Sequence, residues 1–305
     1  GSGRYDVSGQ RFDSSGNPVG SSFRANSQIE LTQTKPEVAV LSDGGFVVIW
    51  SGSGTDQGGD GLDVIGRVFD SSGIAVSEEF LVNSTTYHWQ QHANVTGLSD
   101  GGFAVVWKCQ EGNGVSIRAQ AFDASGAKIG YELLVNDQNV TFFDFPNPSI
   151  GALNDGGFVI AWDDEISGTR KAYARHFDTG GNARGDRFLL SENPNGDEGT
   201  PVVTGLANGG YAAAWTENAS GAGDIATRAF AVDATGLGLS ITGTSGADTI
   251  NGGSDAQYID GLAGNDVLSG GAGNDVFIGG LGDDSLTGGT GTDTADYSSA
   301  TAAVT

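Results

Sequence analysis

Methionine is absent from this 305-residue chain, cysteine occurs once and histidine three times. With Cys109 as the sole cysteine no intrachain disulfide can form, and a buried structural thiol is its expected role. Basic residues are scarce as well: 14 Lys and Arg stand against 38 Asp and Glu, a formal net charge of −24. That balance argues against a nucleic-acid partner. No apolar run approaches the ~20 residues that a membrane-spanning helix needs, so no membrane span is expected. No signal peptide is visible, and no stretch carries a helical hydrophobic period. Catalytic signatures are missing too: there is no His-Glu-x-x-His helix and no phosphate loop. Gly97-Leu-Ser-Asp-Gly101 matches Gly-x-Ser-x-Gly only formally, because that motif requires a strand-to-helix turn and these residues fall in a predicted β-hairpin. A non-enzymatic chain is expected. Gly1-Ser2-Gly3 reads as a cloning remnant, and the chain as an excised piece of a longer polypeptide.

Glycine, by contrast, is abundant, with 52 residues, and much of it is periodic. Residues 243–296 read as six consecutive nonapeptides: GTSGADTIN, GGSDAQYID, GLAGNDVLS, GGAGNDVFI, GGLGDDSLT and GGTGTDTAD. The sixth position holds Asp248, Asp266, Asp275, Asp284 and Asp293, and the eighth holds Ile250, Ile259, Leu268, Phe277, Leu286 and Ala295. Glycines permit the positive-φ turns that direct carbonyl oxygens to one point. Aspartate adds a hard anionic oxygen, and calcium takes roughly six to eight oxygens in flexible geometry. The candidate ligands are the carboxylates of those five aspartates and the turn carbonyls of Gly264, Gly273, Gly282 and Gly291. The apolar residue of each repeat sits on a short strand pointing inward. Nine residues make half a coil, so an ion should lie between repeats i and i+2, pairing Asp248 with Asp266, Asp266 with Asp284, and Asp275 with Asp293. In the second repeat Asp255 replaces a turn glycine and Gln257 replaces the aspartate, so the site pairing Gln257 with Asp275 is expected to be weak or empty.

These nonapeptides resemble the calcium-binding repeat of the RTX (repeats-in-toxin) family. The resemblance implies a parallel β-roll, Ca2+ as the bound ion and type I secretion, unfolded in a low-calcium cytosol and folded outside. Composition agrees. No Lys or Arg occurs from residue 229 onward, while nine Asp lie between 248 and 296. Such a segment repels itself and has too little apolar surface to offset the chain entropy of folding. Divalent ions would supply the missing free energy. A secreted, extracellular or cell-surface location is expected.

The preceding 238 residues repeat on a longer period. Leu41-Ser-Asp-Gly-Gly-Phe-Val-Val-Ile-Trp50 recurs at 98–107, 153–162 and 206–215, with the tryptophans 57, 55 and 53 residues apart. A second phrase follows each copy, as in Arg67-Val-Phe-Asp-Ser-Ser-Gly73, and a fifth example, Arg11-Phe-Asp-Ser-Ser-Gly16, stands near the N-terminus. Each unit predicts four short strands, in the first unit about 37–41, 45–51, 62–70 and 74–83. Asp-Gly-Gly forms one hairpin and Phe-Asp-x-x-Gly another. Four-stranded units at this spacing indicate propeller blades. The expected fold is all-β: a small β-propeller-like domain over 1–238, most simply four-bladed, followed by a parallel β-roll over 239–305. The N-terminal strands are expected to complete the last unit and close the ring, although an open stack stays possible because five third-strand phrases face four first-hairpin phrases. The repeats resemble the Asp-Gly-Gly-Phe-Val-x-x-Trp tandem repeats found beside calcium repeats in large bacterial surface and secreted proteins.

In a propeller the second-to-third and blade-to-blade loops share one face. Here that face is acidic and aromatic. Asp56, Asp60 and Asp63 form a candidate second metal or ligand loop, and Tyr87, His88, Trp89, Phe143 and Asp144 are candidate ligand-binding residues. Asp163, Asp164 and Glu165 extend the acidic rim. Carboxylates accept hydroxyl hydrogen bonds and rings stack on sugars, so an extracellular glycan or cell-surface ligand is the expected partner. Trp50, Trp107, Trp162 and Trp215 repeat with the fold and are read as packing. Two alternatives stand beside this reading: a polysaccharide lyase or hydrolase using a carboxylate or His88, and a purely structural spacer of a large adhesin.

Overall fold

The computed structural model describes residues 5–27, 32–53, 61–86, 88–111, 114–136, 147–166, 169–191, 197–206, 210–217, 224–232, 239–252 and 257–297. Among these residues all elements are strands. An N-terminal hairpin, β1 (Ser8–Phe12) and β2 (Pro18–Arg24), precedes three four-stranded antiparallel blades. The first blade is β3 (Gln33–Val40), β4 (Phe46–Ser53), β5 (Leu62–Phe69) and β6 (Phe80–Leu81). The second is β7 (Trp89–Gly97), β8 (Phe103–Glu111), β9 (Gly114–Phe122) and β10 (Lys128–Leu134). The third is β11 (Ser149–Ala152), β12 (Phe158–Ile166), β13 (Thr169–Phe177) and β14 (Ala183–Leu189). The last blade contributes β15 (Glu198–Gly205), β16 (Tyr211–Glu217) and β17 (Asp224–Val232).

Both repeated phrases have a structural reason. Asp43, Asp100 and Asp155 each accept the backbone N–H two residues on through Oδ1, at 2.8–2.9 Å, closing the first hairpin of their blade. Asp70 and Asp123 do the same in the other turn, each taking two N–H groups and a serine hydroxyl. Those bonds hold both carboxyls below the ordinary carboxylate range, the hydroxyl contributing most. The phenylalanines of the two phrases are cross-strand partners: Phe46 stacks on Phe69, Phe103 on Phe122 and Phe158 on Phe177, with centroids 4.9–5.2 Å apart. Tyr211 and Phe230 repeat the pair at 4.7 Å. Aromatic cross-strand pairs of this kind stabilise a sheet beyond their area.

The cores lie between blades. Trp107 packs with Val47, Ile49 and Val68 of the first blade, Trp162 with Ala104, Val106 and Ile117 of the second, and Trp215 with Val159, Ala161 and Ala172 of the third. The tryptophans are inter-blade packing residues, as expected. Cys109 is buried in the same layer, accepting from Gln90 at 3.2 Å.

Two expectations are corrected. The N-terminal strands do not complete the last blade. β1 and β2 pair with each other, and Val7, Phe23 and Ala25 cover the Trp50 face of the first blade. The hairpin repeats the outer half of a blade: Val7 N–H donates to Asn26 Oδ1 as Val64 does to Asn83 and Ile117 to Asn136, all at 2.8–2.9 Å. The fourth position of the last blade is filled from the other side, by β18 (Leu239–Thr242), antiparallel to β17. In the first blade, the fourth strand is shorter than the predicted 74–83 because the Ser77 hydroxyl takes the Val68 N–H and interrupts the ladder.

β18 also begins the roll, running parallel to β20 (Gln257–Asp260), which continues through β22 (Val276–Ile278) to β24 (Thr294–Ala295). The facing ladder is β19 (Thr249–Asn251), β21 (Val267–Ala272) and β23 (Ser285–Thr290). Between them Ile241, Ile250, Ile259, Leu268 and Phe277 form one buried column. A single seven-stranded sheet thus runs from the last blade into the roll.

His176 sits where the other blades place an apolar residue, between Phe188 and Tyr211 at 5.2 and 5.3 Å, its Nε2 buried without a hydrogen-bond partner. Burial lowers its pKa to about 4, with the Arg184 charge adding to the effect. A histidine depressed in the folded state stays neutral while the unfolded chain takes up a proton below its ordinary 6.5, so stability falls as pH drops from about 6.5 toward 4. Urea unfolding in calcium at pH 6.5 and pH 5 should show wild type losing about 2 kcal/mol more than His176→Leu, since each unit contributes about 1.4 kcal/mol. An equal loss in both proteins would remove His176 as the cause.

Candidate calcium roll and blade face

The roll places its aspartates on two sides. Asp248, Asp266 and Asp284 precede β19, β21 and β23, while Gln257, Asp275 and Asp293 stand at the corresponding points of the other ladder. Within each column one carboxylate oxygen accepts the backbone N–H of the residue 18 positions earlier. Asp266 Oδ1 accepts from Asp248, Asp284 from Asp266, Asp275 from Gln257 and Asp293 from Asp275, at 2.8–3.0 Å. The second oxygens of Asp266 and Asp275 are buried and have no hydrogen-bond partner. A buried, unpaired carboxylate oxygen is costly unless a cation engages it. Burial, together with the Asp293 charge, pushes Asp275 above the ordinary carboxylate range.

The glycines shape the space around those oxygens. A Cβ built on Gly270 would collide with Asp275 Oδ2 and meet the Gly288 carbonyl at 2.7 Å; one on Gly261 would collide with Asp266 Oδ2 and meet the Gly279 carbonyl at 2.6 Å. Gly264, Gly273, Gly282 and Gly291 take φ between +108° and +134°, which only glycine adopts readily. Carboxylate and carbonyl oxygens without nitrogen or sulfur donors form a hard donor set, which fits calcium. No cluster of three or more His, Cys, Asp or Glu side chains converges among the described residues. Asp248, at the first coil, turns its Oδ2 to the Thr244 N–H and hydroxyl at 2.7 and 3.0 Å.

The blade face differs from the expected acidic rim. Asp163 and Asp164 are buried, the first 3.9 Å from Arg170 and the second 2.8 Å from Arg187, whose guanidinium lies 4.4 Å over the Tyr173 ring. Burial raises the Asp163 pKa despite Arg170. Asp63 is buried as well and accepts from Asn83 Nδ2 at 2.8 Å, a bridge repeated by Asp6 and Asn26 at 2.9 Å, which gives it a role in the fold. Asp56, Asp60, Tyr87, Phe143 and Asp144 lie outside the described residues. Trp89, opening β7, is 49% exposed, and His88 beside it has φ +83°.

Sequence reasoning missed one pair. Lys35 Nζ and His92 Nε2 stand 3.0 Å apart on the inner strands of the first two blades. Ammonium only donates, so Nε2 accepts and the imidazole is neutral with its proton on Nδ1. Burial, then Lys35 and Lys108, lower the His92 pKa. Lys35, His92 and Thr200 have φ of +47° to +52° in aligned β-bulges, a strained region for non-glycine residues. Bulges arise from pairing, and a spacing of four between His88 and His92 carries no trace of them.

The family model for the RTX calcium-binding nonapeptide repeat matches residues 240–268 and 260–295, so the C-terminal segment carries RTX calcium-binding repeats. No curated protein matches the chain. Among solved structures, an endo-arabinase from Bacteroides thetaiotaomicron is 14% identical, covering 72% of this chain and 82% of its own, with a TM-score of 0.41. A Penicillium chrysogenum α-L-arabinanase complexed with arabinobiose is 13% identical over 65% and 62%, TM-score 0.46. A polysaccharide lyase described as an ulvan lyase is 12% identical over 64% and 55%, TM-score 0.40. At such identities and scores the likeness assigns no activity to this chain. The expectation of a non-enzymatic protein is nonetheless withdrawn, since an arabinase, an arabinanase and a polysaccharide lyase are among the matched structures. No helix among the described residues is long and apolar enough to cross a membrane.

Proposed function

We propose that this is a secreted calcium-binding protein in which the roll, folded by calcium, supports a blade module that recognises an extracellular glycan or cell-surface ligand. One observation carries the calcium half: Asp266 and Asp275 each hold a buried carboxylate oxygen with no partner inside a segment that contains no Lys or Arg. The ligands are the aspartates of the two columns, Asp248, Asp266 and Asp284 on one side and Asp275 and Asp293 on the other, with the carbonyls of Gly264, Gly273, Gly282 and Gly291. The ion contributes the attraction that offsets their mutual repulsion. The exposed Trp89 indole supports glycan recognition, since an open ring face stacks on a sugar. Binding of the full chain to immobilised polysaccharides in calcium should fall about tenfold in Trp89→Ala, the loss of one stacking contact near 1–2 kcal/mol. Unchanged binding by Trp89→Ala would place the ligand elsewhere.

Cleavage of an acidic polysaccharide is a second reading, favoured by the Lys35–His92 pair. A neutral imidazole among ammonium groups suits removal of a proton beside a uronate carboxylate. His92→Ala should then abolish any release of unsaturated product measured on the same polysaccharides, while leaving calcium binding intact.

A further inference from the structure

Where the last blade meets the roll, the surface forms an open cleft of about 350 Å³. Trp215, Glu217 and Arg228 line it from β16 and β17, Ser191 from the end of the third blade, and Thr244 and Asp248 from the first turn of the roll. The repeat pattern changes at the end of the third blade. The first two blades end in Asn83 and Asn136, whose Oδ1 atoms accept the N–H of Val64 and Ile117 at 2.9 Å. The third ends in Ser191, which is too short for that reach. The corresponding N–H, of Ala172, is taken instead by Glu198 Oε2 of the next blade at 3.1 Å. Glu198 is further held by Lys171 at 3.2 Å.

The chemistry of the walls selects a ligand. Two carboxylates face one guanidinium in a chain of net charge −24, which disfavours phosphates and acidic sugars. Arg228 is fixed over the Phe230 ring, 5.1 Å from its centroid, so its donors are directed. Carboxylates accept from hydroxyls, threonine and serine hydroxyls both donate and accept, and the Trp215 indole offers an apolar surface. This combination matches a polyhydroxylated ring. The size lies at the small end of ligand sites, roughly 300–1,000 Å³.

We infer that this junction cleft binds a neutral mono- or disaccharide unit, and that calcium controls it. One wall is the first nonapeptide of the roll. Its Asp248 N–H donates to Asp266 Oδ1 at 2.9 Å, so the wall is tied to the aspartate column. The inference rests on the calcium reading of the roll and is independent of the Trp89 face.

The test is calorimetric titration of the full chain with L-arabinose, D-galactose, cellobiose and maltose, in calcium and in EGTA, with circular dichroism of every variant. At least one sugar should bind at one site in calcium and not in EGTA. Glu217→Gln, which keeps shape and removes charge, should weaken binding about tenfold, the effect of losing a hydrogen bond to a charged group. Trp89→Ala should leave it unchanged. No binding in calcium, equal binding in EGTA, or a Glu217→Gln protein that binds like wild type would overturn the inference. Loss of binding in Trp89→Ala alone would also overturn it, moving the sugar to the blade face and leaving the proposed function standing.

Discussion

Asp266→Ala is expected to weaken two calcium sites at once and to raise the calcium concentration at the folding midpoint at least about tenfold, near 1.4 kcal/mol. Asp266 is the central member of its column: its Oδ1 accepts from Asp248 and its own N–H donates to Asp284. Its Oδ2 is the buried oxygen with no internal partner. Removing it therefore takes a ligand from the pairs above and below. Asp293→Ala, at the far end of the other column, touches one pair and should cost less. The contrast matters more than either value, because a merely destabilising substitution has no reason to follow the ladder. Calcium-dependent circular dichroism of the three proteins measures it. Equal midpoints for Asp266→Ala and wild type would remove Asp266 from the ion sites.

The second large effect belongs to the blades. Trp162 is fully buried between the second and third blades, among Ala104, Val106, Ile117 and Phe158. The small alanines on the facing strands leave room for the indole and cannot grow to refill its volume. Trp162→Ala should cost about 3–5 kcal/mol and lower the melting temperature by roughly 10 °C. The loss should appear equally in calcium and EGTA, since the tryptophan belongs to the blades. A loss seen only in calcium would mean that blade packing depends on the roll.

Much of this was legible in the sequence because the repeats restate the same physics. The paired phrases predict hairpins, and their phenylalanines prove to be cross-strand partners. The nonapeptide predicts two columns with apolar residues between, and Ile250, Ile259, Leu268 and Phe277 occupy that core. The mismatch of five third-strand phrases to four first-hairpin phrases also had a cause: the fifth phrase, Arg11 to Gly16, is a hairpin of its own on the Trp50 face.

What stayed hidden depends on pairing between distant strands. Asp163 and Asp164 look like loop acids, yet β12 and β13 pair through Ile166 and Thr169, which extends the sheet past them and buries both against arginines. The Lys35–His92 contact needs two bulges in register across blades, which no local spacing encodes. The entry of β18 into the last blade was hidden for the same reason. Nothing in residues 239–242 distinguishes a strand that closes a blade from one that opens a roll, and here the strand does both.

The central claim is that calcium folds the roll. The most direct test is titration of the full chain with calcium by calorimetry and far-ultraviolet circular dichroism together. The account predicts saturable binding of more than one ion, at roughly 10⁻⁴–10⁻³ M as in extracellular modules, with β-signal rising in step and returning to baseline in EGTA. Full β-signal in EGTA with no heat of calcium binding would contradict it.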